Sequence, residues 1–188
     1  ELSIFDFERF SSNIKAIDEA NGIKSTGVVE GFGPIAYSGH DMKKAVADAE
    51  LIYVVGPSYA TVPIAKEYKK VMKEGQHVII CPGTNGGALV FKKELGLDFS
   101  DPSIVVSETS TLPYACRIMN PGEVHVFHRL KKGVFFASLP SSQTDKAFEY
   151  YNQNYPGNSK YKNVLHTLLQ NGNNVIHPAV SLLNVGRI

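Results

Sequence analysis

The side chains best suited to chemistry stand where four predicted strands end. Asp6 follows the first apolar run, and Gly56-Pro57, Cys81-Pro82-Gly83 and Glu108-Thr109-Ser110 follow the next three. In an open parallel sheet, ligands bind beyond the carboxyl ends of the strands, and small residues there let a ligand approach the backbone closely. Glycine and proline also end strands for purely structural reasons. Because the pattern recurs at four ends, it favours a nucleotide-sized ligand.

Asp6 indicates which part of a nucleotide would bind at the first of these ends. A carboxylate after the second strand of a dinucleotide-binding unit accepts hydrogen bonds from the adenosine ribose and repels a 2′-phosphate. Arg9 lies close in sequence and could instead neutralise such a phosphate. An aspartate that caps a helix or lies on the surface is the structural alternative. The expected cofactor is therefore NAD or NADP, and Asp6 favours NAD.

The string Gly31-Phe32-Gly33-Pro34-Ile35-Ala36 matches the pattern G-x-G-x-x-A, but it does not predict a phosphate-binding turn. That motif works only between a strand and a helix, with free backbone N–H groups. Pro34 removes one donor, and Tyr37-Ser38-Gly39 does not continue a helix. We therefore expect the genuine glycine-rich turn and the first strand of the unit to precede Glu1, outside this chain.

His177 is the candidate for proton transfer. It precedes Pro178, which biases its backbone away from helix and would place the imidazole at the N-terminus of the last helix. The helix dipole there would disfavour the imidazolium and suit the side chain to acid–base chemistry. Asn171, Asn173 and Asn174 are close in sequence as hydrogen-bond partners. The alternative is a structural histidine in a turn.

Composition and charge argue against several classes of protein. The 188 residues carry 19 Lys+Arg against 18 Asp+Glu, without the concentrated positive field that nucleic acid or a polybasic membrane contact needs. No apolar run approaches the roughly 18 residues of a membrane span. Cys81 and Cys116 are too few for a disulfide scaffold, and neither they nor the six histidines have the spacing of a metal site. We expect a cytoplasmic protein without metal, and neither nucleic acid nor membrane as a partner.

These residues must be positioned by a fold in which strands and helices alternate. The predicted strands are the apolar runs at residues 2–5, 51–55, 77–81 and 103–107. Helical spacing of apolar residues begins near Ser11, Asp41, Pro63 and Gly86. The alternation predicts an α/β fold, namely a Rossmann-like, doubly wound and mostly parallel sheet.

The pattern changes in the last third of the chain. Residues 123–129 and 134–139 flank Lys131-Lys132-Gly133, which predicts a late antiparallel hairpin. Helices are predicted at about residues 144–152 and 164–170, and a last apolar helix opens at Pro178.

Three segments together resemble the opine (octopine/nopaline) dehydrogenases. Residues 108–117 are similar to the E-T-x-x-L-P-Y-A-C-R segment of that family. Residues 81–89 resemble its P-G-x-x-G-G-A-L turn, and residues 173–179, with 182–184 and 186–188, resemble its N-x-x-x-H-P segment and the entry into its second domain. The order and spacing of the segments also fit, and the resemblance covers essentially the whole chain.

The resemblance implies an NAD(P)-dependent oxidoreductase that condenses an amino acid with a 2-oxo acid, commonly pyruvate, and reduces the imine. His177 would then be the general acid/base, and Asp6 would lie beside the adenosine ribose. The expected cofactor-binding residues are Asp6, Gly56, Pro57, Pro82, Glu108 and Thr109. The expected substrate-side residues are Cys116, Arg117 and Asn173.

The resemblance also implies a division into domains. Residues 1–172 would form the NAD(P)-binding domain, and residues 173–188 would begin the helix that leads to a helical substrate domain outside this chain. Because that domain supplies an acidic partner for the histidine in this family, we expect the 188-residue chain alone to be inactive. If the first strand is absent from the order 3-2-1-4-5-6, strands 2–5 and 51–55 should not pair directly.

Two other functions fit the same layout. Glycerol-3-phosphate and ketopantoate dehydrogenases share it but typically use a lysine as the key polar group, and no lysine here has the setting of His177. A nucleotide-binding domain without catalysis is the alternative from a different class. The sequence leaves open the amino acid, the oxo acid and the oligomeric state, including a homodimer.

Overall fold

A computed structural model describes residues 1–83 and 85–186, and only the backbone of Asn174. Thr84, Arg187 and Ile188, which belong to the segments that carry the resemblance, lie outside the described residues. The strands are β1 (Ser3–Phe5), β2 (Gly22–Gly27), β3 (Gly31–Pro34), β4 (Tyr37–Gly39), β5 (Leu51–Val55), β6 (His77–Cys81), β7 (Val105–Thr109), β8 (Tyr114–Asn120), β9 (Glu123–Arg129), β10 (Phe135–Leu139) and β11 (Ser159–Lys160). The α-helices are α1 (Ser11–Ala20), α2 (Met42–Ala45), α3 (Thr61–Lys69), α4 (Gly87–Leu95), α5 (Thr144–Asn154), α6 (Val164–Leu169) and α7 (Asn173–Leu183).

A five-stranded sheet in the order β11-β10-β7-β6-β5 holds the core. Its β5, β6 and β7 are parallel, as predicted, while β10 runs antiparallel to β7. Strand β7 begins two residues later than predicted, because Ser103 donates its backbone N–H to Asp101 Oδ1 in a turn before the strand. Glu108 and Thr109 are therefore the last two residues of a buried strand and do not lie in the loop after it.

The two faces of this sheet are covered by different helices. All five residues of β6 are buried, as expected of an unalternating apolar run. Val78, Ile80 and Val106 face a core cluster that includes residues of α3, α4 and α6. Ile79 and Val105 face a second cluster with residues of α5, in which the Phe136 and Tyr151 rings stack at 5.0 Å. The chain is a layered α/β protein of the predicted class.

Strands β1 and β5 do not pair with each other, and this prediction is confirmed. Strand β1 pairs only with β4 among the described strands, in a small parallel sheet. Strand β5 forms the edge of the main sheet and pairs with β6 alone. The backbone edges that β1 and β5 would turn toward an intervening strand are thus both unpaired within the described residues.

A third sheet, in the order β3-β2-β9-β8, corrects one prediction. A late antiparallel hairpin is present, but it joins β8 to β9; the predicted pairing of residues 123–129 with 134–139 is wrong. Strand β10 pairs instead with β7 in the main sheet, where its Phe136 and Ala137 are fully buried. Strand β8 is almost wholly exposed, so it lacked the buried alternation that would have revealed it.

The glycine-rich string at residues 31–36 does not lie between a strand and a helix. Its first four residues form β3, which pairs antiparallel with β2, and no helix follows them. Rejecting this string as a phosphate-binding turn is therefore confirmed. None of the helices described is long and apolar enough to cross a bilayer.

His77 is a buried titratable group at the opposite end of β6 from the candidate site. Its side chain is 7% exposed, its ring lies 5.1 Å from the Tyr150 ring, and its Nδ1 has no hydrogen-bond partner among the described residues. Burial and the nearby Lys146 ammonium lower the pKa of this imidazole below its usual 6.5. His77 is therefore neutral in the folded protein at neutral pH.

We expect His77 to make the protein sensitive to acid. Below about pH 6.5 the unfolded chain takes up a proton at His77 that the folded chain resists, so the contribution of His77 to the free energy of unfolding falls as pH decreases through this range. His77→Phe keeps an aromatic ring beside Tyr150 and should remove this part of the pH dependence. Urea unfolding between pH 5 and 8 measures it, with exposed His128→Phe as the control; equal slopes for wild type and His77→Phe would contradict the assignment.

Candidate functional site

The register of the parallel strands aligns their carboxyl ends. Val55 lies opposite Cys81, and Ile80 lies opposite Glu108. One edge of the main sheet therefore brings together five of the residues expected at the cofactor: Gly56, Pro57, Pro82, Glu108 and Thr109. Such an edge is where open α/β sheets bind ligands.

The turn after β6 is packed directly against the end of β7. Gly83 donates its backbone N–H to the Thr109 carbonyl oxygen at 2.9 Å. A Cβ on Gly83 would lie 2.3 Å from Glu108 Cβ and 2.4 Å from Glu108 Oε2, far inside van der Waals contact. Glycine is therefore required for this close approach of the turn to the Glu108 side chain.

Glu108 is 1% exposed and has partners on two helices. Its Oε2 accepts the Ala88 backbone N–H at 3.0 Å, in the first turn of α4. Its Oε1 lies 2.6 Å from Thr167 Oγ1, on α6. Burial raises the pKa of this carboxyl to about 7, against the opposing effect of the two hydrogen bonds.

Thr109 and Cys81 point to the opposite face of the sheet from Glu108 and Ile80, because neighbouring residues of a strand alternate. The Thr109 hydroxyl donates to Cys81 Sγ at 3.3 Å, and both side chains are buried. Burial raises the pKa of the Cys81 thiol. The Thr109 hydroxyl is thus bonded to the thiol, and only the backbone of Thr109 is available to a ligand at the edge of the sheet.

Asp6 lies between Phe5 and Phe7, which line an open cleft of about 520 Å³, and is not itself among the lining residues. Its backbone is held by β4, since its N–H donates to the Gly39 carbonyl oxygen and its carbonyl oxygen accepts from His40 Nδ1 at 2.7 Å. Its Oδ1 accepts the Phe7 N–H at 2.8 Å. The cleft is lined by Phe5, Phe7, Glu8, Arg9, His40, Pro63 and Glu67. Its volume lies in the range of small-molecule sites, and it is bounded by both aromatic and charged groups.

Cys116 and Arg117 lie elsewhere. They are exposed residues of β8, the edge strand of the third sheet, and Arg117 Nη1 donates to the Cys116 carbonyl oxygen at 2.9 Å. No described strand pairing connects β8 to the main sheet. The structure therefore does not bring these two side chains together with the strand-end residues through any shared sheet.

His177 is not at a helix N-terminus, and that expectation is wrong. Helix α7 begins at Asn173, which places His177 in its interior together with Pro178. The helix starts early because the buried Asn171 accepts the Asn173 N–H on its Oδ1, and the Val175 and Ile176 N–H groups bond to the Gly172 carbonyl oxygen. The helix-dipole argument for His177 therefore does not hold.

The side chains of α7 are largely open to solvent. His177 and Asn173 are both exposed, and no described residue hydrogen-bonds to the His177 imidazole. The start of α7 coincides with the predicted boundary at residue 173, and the division into two domains stays a prediction.

Thr167 is the member of the site that sequence reasoning missed. It lies in the predicted helix at residues 164–170 but is separated from Glu108 by 59 positions. A threonine in a short amphipathic helix carries no local signal of a carboxyl partner. Glu108 itself was found because it stands at a strand end.

No family model matches this chain. It is similar to the opine dehydrogenase of Arthrobacter sp. (strain 1C), with 35% identity over 191 aligned residues that cover 98% of this chain and 51% of that protein. It is also similar to the vitopine synthase of Allorhizobium ampelinum (strain ATCC BAA-846 / DSM 112012 / S4), with 28% identity over 84% of this chain and 44% of that protein. The chain spans about half the length of these relatives.

Solved structures agree on the fold. The chain is similar to an octopine dehydrogenase complex with NADH and L-arginine, with a TM-score of 0.81 and 16% identity over 100% of this chain and 48% of that one. A yersinopine dehydrogenase with NADP+ bound has a TM-score of 0.76 and 13% identity, over 97% of this chain and 46% of that one. A ketopantoate reductase from Ralstonia eutropha JMP134 has a TM-score of 0.58 and 17% identity, over 81% and 47%.

The sequence and structural likenesses point the same way. The Arthrobacter relative matches from end to end of this chain, and the Rossmann-type fold is shared with octopine dehydrogenase. Over 98% of its length the chain is therefore related to the opine dehydrogenases.

Proposed function

We propose that the complete protein is an NAD(P)-dependent dehydrogenase that reduces the imine formed between an amino acid and a 2-oxo acid. The observation that carries this proposal is the 35% identity to the Arthrobacter opine dehydrogenase over 98% of the chain. The aligned carboxyl ends of β5, β6 and β7 support it, because they supply the edge at which such a fold binds a dinucleotide.

The described residues fit a dinucleotide. Asp6 and the cleft beside it suit the adenosine half, and the edge formed by Gly56, Pro57, Pro82, Glu108 and Thr109 suits the other half. When bound, a nicotinamide cofactor would supply the hydride, while the protein supplies orientation and electrostatics. The octopine dehydrogenase neighbour binds NADH and the yersinopine dehydrogenase neighbour binds NADP+, and Asp6 favours NAD for this chain.

His177 is proposed to move the proton at the reacting carbon–nitrogen centre. Its exposure on α7 leaves the imidazole open to a substrate. Exposed apolar side chains continue along the same helix, including Val175, Ile176 and Leu183, and such a surface is typical of an interaction face. We propose that a second domain covers α7 and supplies the carboxylate that orients His177, so the 188 residues alone are expected to be inactive.

The substrates are proposed by class. The octopine dehydrogenase neighbours were solved with L-arginine and with pyruvate, which supports an amino acid and a 2-oxo acid here. Cys116, Arg117 and Asn173 are proposed on the amino-acid side from their motifs. All three are exposed and able to meet a substrate.

The direct test is an NADH-oxidation assay of the complete protein. Amino acids supplied with pyruvate are expected to give turnover, whereas dihydroxyacetone phosphate or ketopantoate should give none. Binding of NADH without turnover of any pair would instead favour a non-catalytic nucleotide-binding domain. Turnover of ketopantoate alone would overturn the proposal in favour of the related reductases.

Asp6 is expected to control the choice between the two cofactors. Its carboxylate repels a 2′-phosphate, so Asp6→Asn should lower the ratio of kcat/KM for NADH over NADPH by about tenfold, which corresponds to about 1.4 kcal/mol. Steady-state kinetics with each cofactor measure this ratio. Glu8→Gln, two residues away in the lining of the neighbouring cleft, is the matched control for a general loss of negative charge. An unchanged ratio in Asp6→Asn would remove Asp6 from the ribose site.

A further inference from the structure

The contacts of Thr167 require more protons than its hydroxyl carries. Thr167 Oγ1 lies 2.6 Å from Glu108 Oε1 and 2.7 Å from the Val164 carbonyl oxygen. Both distances are those of full O–H···O hydrogen bonds, but a hydroxyl has a single hydrogen to donate. The carbonyl oxygen of Val164 can only accept, so it takes the hydroxyl hydrogen. The hydrogen between Thr167 and Glu108 must then come from the carboxyl.

We infer that Glu108 is held as a neutral carboxylic acid that donates its Oε1 proton to Thr167, and that this proton makes Glu108 a positioning residue that joins the candidate cofactor edge to α6 and α7. The other carboxyl oxygen, Oε2, accepts the Ala88 N–H of α4. One proton thus completes a continuous chain from α4 through Glu108 and Thr167 to the α6 backbone. Burial to 1% exposure disfavours the charged form, consistent with a pKa raised to about 7.

No charged neighbour provides another explanation among the described residues. The titratable side chains on the elements that pack around Glu108 are Lys92, Lys93 and Glu94 on α4, His166 on α6, and His77 and Cys81 on β6. None of these hydrogen-bonds to Glu108, and Cys81 points to the other face of the sheet. Lys92 is directed instead to backbone carbonyls. Burial and hydrogen bonding alone therefore set the state of this carboxyl.

The connection extends to His177 through a short segment. Helix α6 ends at Leu169, and the buried Asn171 that follows it accepts the N–H of Asn173 at the start of α7. Loss of the Glu108 proton would leave a single hydroxyl hydrogen on Thr167 for two acceptors, Glu108 Oε1 and the Val164 carbonyl oxygen, and would thereby weaken the contact between α6 and the sheet. An effect of α6 on the position of His177, and so on catalysis, rests on the proposed function. The protonation state of Glu108 does not.

The proton is tested by carboxyl-carbon NMR on the complete protein labelled with ¹³C-glutamate. One carboxyl should titrate near neutral pH, and its resonance should be missing in Glu108→Gln. If that variant does not fold, Thr167→Val should shift the anomalous resonance and Thr109→Val should not. Titration of every glutamate in the ordinary acidic range would overturn the inference.

Stability gives a second readout that does not depend on activity. Because the folded pKa lies above the ordinary 4.5, the folded state holds an extra proton between about pH 4.5 and 7. Relative to that of Glu108→Gln, the unfolding equilibrium constant of wild type should therefore rise by up to about tenfold per pH unit as pH increases through that window. Glu108→Gln supplies an N–H to Thr167 and a carbonyl oxygen to Ala88, so it should fold and lose this slope. Glu108→Ala should be unstable at every pH.

Hydrogen exchange and enzyme kinetics measure how loss of the Glu108 proton affects α6 and the reaction. Amides of α6 should exchange faster above pH 7 in wild type, after correction for the intrinsic rate, but not in Glu108→Gln. Thr167→Ser, which retains the hydroxyl, should behave as wild type. If the reaction is as proposed, kcat of wild type should fall above pH 7 relative to its own value below pH 7, and this fall should be absent from the pH profile of Glu108→Gln. Complete absence of imine reduction would refute the proposed function only. A Glu108→Gln variant whose stability and α6 exchange kept the pH dependence of wild type would refute the protonated state of Glu108.

Discussion

Replacing His177 by alanine in the complete protein is expected to lower kcat by about 10²–10⁴-fold while NADH still binds. This is the usual contribution of a positioned general acid or base. The side chain is exposed on α7 and is not part of either core cluster, so its removal should leave the fold intact. Steady-state assays give kcat, and NADH fluorescence titration gives Kd for the cofactor.

The matched control is His166→Ala. His166 is also an exposed histidine, on the neighbouring helix α6, and its replacement should leave kcat within about twofold, as is usual for surface substitutions. If His177→Ala kept the wild-type rate, the proposed proton transfer would have to belong to another group. If both kcat and NADH affinity fell, His177 would act in binding rather than in the chemical step.

Replacing Lys92 by methionine is expected to lower the free energy of unfolding by about 3 kcal/mol. Lys92 is fully buried, and its ammonium donates to the carbonyl oxygens of Asp101, Ile104 and Leu139, the last two at 3.1 Å. Methionine fills a similar volume, but it leaves three acceptors without this donor, and the two that are buried cost about 1–3 kcal/mol each. Relief from burying a charge offsets part of that cost, so the expected net loss is smaller than the sum.

Lys93→Met is the control for this prediction, because Lys93 is the adjacent residue of α4 and is exposed. Its replacement should change stability by no more than about 0.5 kcal/mol. Urea unfolding of both variants at one pH provides the comparison. Equal stabilities for the two variants would show that the three carbonyl groups find other donors or water.

The main sheet was predictable because its strands have a local signature. Residues 51–55 and 78–81 are continuous apolar runs stopped by Gly56 and Pro82, and both lie in strands, the second of which begins at His77. The position of Glu108 beside a strand end followed from the same pattern. What the pattern could not show was that Glu108 belongs to the strand itself, since the turn held by Asp101 depends on a side-chain hydrogen bond.

The pairing of the later strands was not predictable from spacing. Strand β9 follows a short loop after β8, and β10 follows a short loop after β9, so a hairpin is sterically possible in either case. The choice depends on burial: Phe136 and Ala137 of β10 are fully buried beside β7, one in each core cluster, whereas the exposed β8 pairs with β9. Such competition between partners is resolved by the whole core and not by the turn.

The position of His177 shows the same limit at a single residue. A histidine before proline predicts a helix start, because proline restricts the residue that precedes it. The hydrogen bond from the Asn173 N–H to Asn171 Oδ1 and the backbone bonds to Gly172 instead begin α7 four residues before His177, with Pro178 inside the helix. The preference of a residue before proline for a non-helical backbone is outweighed here, because neighbouring hydrogen bonds favour the longer helix.

The sequence by itself therefore determined the α/β class, the principal strands and the edge at which they end. Apolar periodicity and strand-terminating residues act over a few positions and can be read from the sequence directly. Contacts between distant segments decided the rest. The Glu108–Thr167 contact spans 59 positions, and the partners of β9 and β10 lie on different sheets. These arrangements depend on which surfaces can be buried together, and that is a property of the assembled core rather than of any segment within it.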